Sequence, residues 1–135
     1  MLSGLEISGS ALMAQRRRMD VIANNMANMD VVGKTDGSLL PYRRKLVVFE
    51  PQPPGPGKPF QGVRVKEVAD DPQDFRVEHK PEHPYADAKG YILASNVNPM
   101  IEMVDMIAAT RAYEANVTAM DATKSMFATS LRILA

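Results

Sequence analysis

The sequence predicts an α+β fold, with long N- and C-terminal helices that pair as a coiled coil and a small antiparallel β insert between them. Three observations predict it: apolar residues recur at helical spacing at both ends, the middle alternates with a period of two, and neither Pro nor Gly follows Pro99. A chain of 135 residues has room for one compact domain. We therefore divide it into an N-terminal helix in residues 1–30, a β-rich insert in 31–98 and a C-terminal helix in 99–135.

The N-terminal helix is predicted from apolar residues that recur every seven positions, at Leu5, Leu12, Met19 and Met26, with Ile22 beside them. Its end is marked by Asn24, Asn25 and Asn28, because asparagine side chains compete for backbone hydrogen bonds and favour helix ends. The three arginines 16–18 lie between the apolar positions, which indicates a solvated or partner-facing side.

The insert is predicted from segments with strand character, namely "RRKLVVFE", "GVRVKEV", "DFRVEHK" and "GYILAS". Residues 51–59, "PQPPGPGKP", are too rich in Pro and Gly for regular structure and predict a loop. Strongly apolar residues are few here. We therefore expect no more than a small antiparallel sheet or a pair of hairpins over a thin core.

The C-terminal helix should begin at Pro99, with Asn98 as its N-cap and Glu102 near the positive end of the helix dipole. Residues three and four apart form a predicted stripe at Met103, Met106, Thr110, Tyr113, Val117, Met120, Lys124, Phe127, Leu131 and Leu134. Eight of these ten positions are apolar, which favours coiled-coil packing. Because a helix this long cannot bury its stripe against a small domain, either the N-terminal helix or other subunits must cover it.

The composition argues against several kinds of chemistry. Sixteen basic and sixteen acidic residues give no net charge, so the chain has no electrostatic bias toward nucleic acid, and no cysteine is present. His79 and His83 are four apart, but Pro81 between them prevents the helix that would align them on a metal. We expect no enzyme, no cofactor, no metal and no small-molecule substrate. The basic run 42–45, "YRRK", indicates a protein contact or a solvated edge.

The N-terminus does not have the order of a secretory signal, because its basic cluster follows its apolar residues instead of preceding them. No run of residues approaches the length of a membrane span. We expect a chain without a cleaved signal peptide.

Three segments together resemble the bacterial flagellar axial proteins, the family of rod and hook subunits. They are "SGSALMAQRRRMDVIANNMANMDVVG", "PYRRKLVVF" and "HPYADAKGYILASNVNPMIEMVDMIAATRAYEANVTAMDATKSM". The motif from Ala23 to Asn28 is similar to one shared by rod and hook proteins, while "EMVDMI" (102–107) and "RAYEANV" (111–117) resemble the rod group. The residues 29–32, "MDVV", depart from the usual family pattern.

The resemblance implies a structural subunit of the proximal rod, the drive shaft that encloses the export channel. Such proteins leave the cytoplasm through the flagellar type III export apparatus, without a cleaved signal, and polymerise in the periplasmic space. The implied partners are the rod proteins FlgB, FlgF and FlgG, the rod-base protein FliE, and copies of the chain itself. A sister rod or hook protein, or a soluble coiled-coil adaptor or chaperone, remains an alternative.

We expect subunit contacts at the positions of both terminal helices that carry the periodicity and the resemblance. In the N-terminal helix these are Leu5, Leu12, Met19, Ile22, Asn24, Asn25, Met26 and Asn28. In the C-terminal helix they are Met103, Met106, Arg111, Tyr113, Glu114, Asn116, Val117, Met120, Phe127, Leu131 and Leu134.

Two details of these contacts have alternatives. Asn25 and Asn28 would hydrogen-bond between subunits, or the asparagines would only cap the helix. Arg111 and Glu114 would pair with each other three residues apart, or one of them would reach a neighbouring subunit.

Overall fold

The computed structural model describes residues 2–53, 55–57 and 62–134, so part of the predicted loop 51–59 lies outside the described residues. Helix α1 spans Leu2–Ala27 and helix α2 spans Pro99–Leu134. Between them lie the strands β1 (Val32–Gly33), β2 (Lys45–Pro51), β3 (Val63–Asp70), β4 (Arg76–His79) and β5 (Tyr91–Ala94). The predicted α+β class with small antiparallel sheets is confirmed. Neither of the described helices is long and apolar enough to cross a membrane.

The two helices pack side by side in opposite directions. Near the start of α1, a Cβ built on Gly4 would lie 3.9 Å from Cγ2 of Thr123. Farther along, the Thr110 hydroxyl contacts the Met19 sulfur at 3.7 Å, and the end of α1 reaches the first turn of α2. Ile22 and Ala109 are buried, so the helix pair contributes to the core. Burial of this apolar surface is the main force that holds the pair together.

Helix α2 begins where the sequence predicts. The Oδ1 atom of Asn98 accepts a hydrogen bond from the backbone N–H of Met100 at 3.0 Å. Pro99 occupies the first helical position, where its missing N–H is not needed. The predicted N-cap is therefore confirmed.

The face of α2 that packs inward differs from the predicted stripe. Most of its buried and half-buried positions repeat at intervals of three and four, at Glu102, Met106, Ala109, Tyr113, Asn116, Met120 and Thr123. Met106, Tyr113 and Met120 belong to both sets, and the predicted Thr110 is half-buried beside Met19. The predicted positions Met103, Val117 and Leu131 are 49%, 36% and 52% exposed. The prediction chose positions by hydropathy, whereas the structure turns the polar Glu102 and Asn116 inward and leaves apolar residues on the other side.

The strands form two separate antiparallel sheets, one of three strands in the order β1-β5-β4 and one hairpin of β2 and β3. Ile92 and Ala94 of the central strand β5 are buried, and the adjoining Val97 is buried as well. The four predicted strand segments are confirmed. Strand β1, which pairs Val32 with Ala94, was missed because two residues cannot display a period.

The loop end of the hairpin is fastened to α1 through Ser10. The Ser10 hydroxyl accepts a hydrogen bond from the backbone N–H of Val63 at 3.1 Å and donates one to the carbonyl of Ile7 at 2.7 Å. Gly62 has a positive φ of 92°, and a Cβ built on it would lie 2.1 Å from the Ser10 oxygen. Only glycine lets the backbone come this close to the helix.

We predict that Gly62→Ala destabilises the fold and loosens the hairpin from α1, because the new methyl group must displace Ser10. The matched control is Gly37→Ala, since Gly37 also has a positive φ of 78° but nothing lies within 4 Å of a built Cβ. Both variants carry the left-handed strain, and Gly62→Ala adds overpacking that costs roughly 1–3 kcal/mol. Urea unfolding followed by circular dichroism measures the difference; equal losses in the two variants would contradict the close approach.

Candidate subunit interface

Asn25 lies at the junction of α1, α2 and the insert and is 1% exposed. Its Nδ2 atom donates hydrogen bonds to the carbonyl of Lys45 at 2.9 Å and to Oε2 of Glu102 at 3.0 Å. Its Oδ1 atom accepts from the backbone N–H of Lys45 and from the hydroxyl of Tyr42, both at 2.9 Å. An amide has two donors and two acceptor sites, so every one of them is used within the chain. In this fold Asn25 has no polar group left for the expected bond to a neighbouring subunit.

Arg44 joins three carboxylates beside Asn25. Its Nε donates to Oε1 of Glu102 at 2.5 Å, Nη1 donates to Oδ2 of Asp71 at 3.0 Å, and Nη2 donates to Oδ2 of Asp105 at 3.2 Å. The Glu102 side chain is 1% exposed and that of Asp71 is 6% exposed. We call Asn25, Arg44, Asp71, Glu102 and Asp105 the Arg44 cluster. It connects both helices with the open end of the hairpin, where Lys45 pairs with Asp70.

Neighbouring groups stabilise the ionised forms of Arg44 and Asp71. Burial by itself lowers the pKa of Arg44, but the hydrogen bonds to Glu102 and Asp71 outweigh it and raise that pKa above its usual value. The pKa of Asp71 is lowered, first because the backbone N–H of Gln73 donates to Oδ1 at 2.9 Å, and further because Arg44 is close. Both groups are therefore charged at neutral pH.

The basic run 42–45 points into the molecule, so the expectation of an outward contact or a solvated edge was wrong for its first three residues. Tyr42 reaches Asn25. Arg43 stacks over the Phe75 ring at 4.2 Å and donates to the backbone carbonyls of Asp71 and Gln73. Arg44 enters the cluster. A sequence signal was present, because Glu102 shares the three-and-four spacing of the packed face, and a carboxylate in such a position needs a cation.

Asn28 and Asn24 close the end of α1. The Nδ2 atom of Asn28 donates to the carbonyl of Asn24 at 2.8 Å, and the same carbonyl accepts from the backbone N–H of Asn28 at 3.2 Å. Asn24 is exposed and donates from its own Nδ2 to the Tyr42 hydroxyl at 3.1 Å. Capping is thus present, as one alternative expected.

The other expected interface residues fall into two groups by burial. Ile22 is buried, and the half-buried members are Leu5, Leu12, Met19, Met26, Met106, Tyr113, Asn116 and Met120. The exposed members are Met103, Arg111, Glu114, Val117, Phe127 and Leu131. Leu134 ends α2, and its side chain lies outside the described residues.

The first half of α2 has a second apolar surface, which faces away from α1. Met100, Met103, Val104 and Ile107 are 70%, 49%, 64% and 55% exposed. Their spacing of three, four and seven residues places them side by side on one helix face. We call these four residues the α2 outer stripe. Contiguous exposed apolar surface of this kind marks an interaction site in a folded protein.

The two histidines lie apart from this surface. His79 ends β4 and contacts the Tyr91 ring at 4.9 Å, while His83 lies in a turn beside Tyr85 at 5.2 Å. The prediction that no helix aligns them is confirmed. In the part of the chain that the structure describes, no group of three His, Asp or Glu side chains could hold a metal ion.

We predict that Arg44→Met destabilises the fold by about 3–5 kcal/mol, because it leaves the buried Glu102 carboxylate without its cation. The matched control is Lys45→Met. It removes an ion pair with Asp70 whose side chains are 38% and 56% exposed, and it should cost no more than ~1 kcal/mol. Urea denaturation at neutral pH measures the free energy of unfolding of both variants. If the two variants lose similar amounts, the Arg44 cluster contributes no more stability than the exposed Lys45–Asp70 ion pair.

We predict that Asp71→Asn lowers the free energy of unfolding at neutral pH and that this loss shrinks in acid. A lowered pKa in the folded state gives stability above the ordinary value of 3.8, and this stability disappears as the pH falls from there through the folded value. The curves of the variant and the unsubstituted chain should therefore converge below that pH. Asp74→Asn, at an exposed position, is the control and should change the free energy of unfolding at neutral pH only slightly. Parallel curves for Asp71→Asn would contradict the prediction.

Comparison with known families matches both ends of the chain. Residues 5–33 match the family described as flagella basal body rod protein. Residues 88–133 match the family described as flagellar basal body rod FlgEFG protein C-terminal. The two matches include β1 with most of α1, and β5 with nearly all of α2.

Relatives similar over the full length come from several bacteria, and each is a flagellar basal-body rod protein FlgC. The protein of Bacillus subtilis is 44% identical, with 96% of this chain and 95% of that protein covered. The Yersinia enterocolitica protein is 45% identical and the Salmonella typhimurium protein 39%, each with 98% of this chain and 97% of the relative covered. The chain therefore belongs to the FlgC family of flagellar basal-body rod proteins.

Proposed function

We propose that this chain, a structural subunit of the flagellar basal-body rod, is built into the rod through its terminal helices. The observation that carries the proposal is the α2 outer stripe. Four large apolar side chains remain exposed on a helix whose opposite face is already packed on α1. Their burial between subunits would supply the free energy of assembly, since a fully buried side chain of this size contributes about 1.5–3 kcal/mol.

The two terminal helices and the insert have different roles in this proposal. Residues 1–30 and 99–135 form the axial part, in which α1 and α2 pair as a coiled coil, and the insert 31–98 faces outward. The Arg44 cluster sets the angle between these parts. Asn25 acts at the interface indirectly, because it holds the helix ends in place.

The expected interface residues take two roles in this proposal. The exposed members, Met103, Arg111, Glu114, Val117, Phe127 and Leu131, together with Asn24, contact neighbouring subunits. The buried and half-buried members, from Leu5 to Met120, complete the helix pair that presents them. Asn28 fixes the end of α1 through its Nδ2 atom and presents its Oδ1 atom to a neighbour.

As a member of a rod family, the chain resides in the flagellar basal body and assembles with other rod and basal-body proteins. We propose FlgB, FlgF, FlgG, FliE and copies of itself as neighbours, and the type III export apparatus as its route to the periplasmic space without a cleaved signal. The role is structural and not catalytic. Supporting these details are the neutral charge, the absence of cysteine and the resemblance of both ends to rod subunits.

An in-frame deletion of the gene tests the function directly. Electron microscopy of cell envelopes should show basal bodies without rods or hooks, and purified basal bodies of the parent strain should contain the protein. If flagella assemble normally in the deletion strain, the structural role is wrong and a soluble coiled-coil adaptor becomes the better explanation.

We predict that Val104→Asp stops rod assembly while the monomer keeps its stability. The side chain is 64% exposed, so the change should alter the free energy of unfolding by no more than about 0.5 kcal/mol. Burying a carboxylate between subunits, by contrast, is strongly unfavourable. The matched control is Ser125→Asp, an exposed position of α2 outside the stripe, which should leave assembly intact. Basal-body blots and motility are the measurements, and normal motility of Val104→Asp would count against the proposal.

A further inference from the structure

We propose that the α2 outer stripe of one copy docks on the outer side of α1 in the next copy, with the two helices antiparallel. The receiving surface consists of Met13, Arg16, Asp20, Ala23 and Ala27, which we call the α1 outer stripe. This inference rests on the proposed function and names the partner of the same site, which is a second copy of this chain.

The α1 outer stripe is free in the folded chain. All five residues are exposed, and Met13 is 76% exposed. They follow one another at intervals of three and four, the spacing of a helix face that packs against another helix. On its other sides, α1 packs against α2 at Ile22 and lies beside the hairpin near Ala14.

The two stripes are complementary in shape. Ala23 and Ala27 leave shallow space at one end of the α1 outer stripe, whereas Met103 and Ile107 project from the α2 outer stripe. Small residues facing large ones allow two helices to approach closely and interdigitate. Placing Ala27 opposite Met103 and Ala23 opposite Ile107 fixes an antiparallel register.

The same register brings opposite charges together. Asp20 then lies opposite Arg111, and Arg16 lies opposite Glu114. Among the residues that the structure describes, none of these four side chains has an ion pair, and Arg111 and Glu114 do not pair with each other. Complementary charges at the edge of an apolar contact fix its register and exclude other alignments.

The parallel alternative lacks this match. With Ala23 opposite Met103 and Ala27 opposite Ile107, Arg16 would lie before the start of α2 and Glu114 beyond the end of α1. Neither ion pair could then form. The antiparallel direction is therefore favoured by the charges.

The contact also fits a polymer of identically oriented copies. Within one chain α1 and α2 are antiparallel, with Met19 beside Thr110 and Asn25 beside Glu102. The proposed contact is antiparallel too, and its register differs by only a few residues, so neighbouring copies would lie nearly level and point the same way. Because the two stripes are different surfaces, the contact repeats from copy to copy and builds a ring or a helix.

Disulfide cross-linking in assembled basal bodies tests the contact, since the natural chain contains no cysteine. Cells would carry two copies of the gene, one with Ala23→Cys and one with Ile107→Cys, and no other copy. Oxidation of the purified basal bodies should give a dimer of the chain on a blot of a non-reducing gel. The dimer should disappear when a reducing agent is added. The control combines Ala23→Cys with Thr118→Cys, which lies on the same side of α2 but eleven residues on, about 16 Å along the axis. It should give no dimer.

The outcomes separate this contact from the proposed function. If the chain is present in basal bodies but forms no dimer, dimerises equally in the control, or cross-links only to a different rod protein, the contact between copies is overturned and the rod role stands. If the unsubstituted chain is absent from basal bodies, the proposed function fails, and the contact fails with it.

A charge exchange gives a second test that needs no cysteine. Glu114→Arg should reduce motility by placing two cations together, and Arg16→Glu in the same chain should restore it. Arg17→Glu is the matched control, because Arg17 is adjacent to Arg16 in the chain but does not belong to the α1 outer stripe, and it should not restore motility. Equal rescue by both changes, or by neither, would overturn the register.

Discussion

The ion pair between Arg44 and Glu102 is the interaction on which the rest of the structure depends. A glutamate with 1% of its side chain exposed is tolerated only because Arg44 and Asn25 satisfy both of its oxygens. Those same groups bind Lys45, Asp71 and Asp105, so one polar centre connects two helices with a hairpin that has little apolar core of its own. A buried pair of this kind adds directional specificity more than net stability.

The consequence for assembly lies in the rotation of α2. Because Glu102 must face Arg44, the helix turns Ala109 and Asn116 toward α1 and leaves Met103 and Val104 outside. The polar centre thus decides which apolar residues stay exposed for other subunits. A helix that buried Met103 instead would satisfy hydropathy better within one chain, but it would leave less apolar surface for contacts in the rod.

Periodicity and local chemistry sufficed for both helices and the four longer strands. Asn98 and Pro99 marked the start of α2, the alternation in "GVRVKEV" marked a strand, and the asparagines marked the end of α1, because capping, pleating and helix propensity are local properties. They failed where a distant partner decides. Arg44 was predicted to lie on the outside, because no feature of the neighbouring sequence indicates that its partner, the Glu102 carboxylate, follows 58 residues later.

The sequence by itself determined the α+β class, the two helices, the four longer strands and, through motifs at both ends, the resemblance to rod and hook proteins. Tertiary structure decided the rotation of α2, the inward direction of Tyr42 and Arg44, and the use of Asn25 within the chain. The physical reason is that hydrophobic periodicity fixes a helix face only to within about a residue, roughly 100°. Buried charges need hydrogen-bond partners, and the whole fold decides where those partners lie. This requirement selects one of the remaining rotations of the helix.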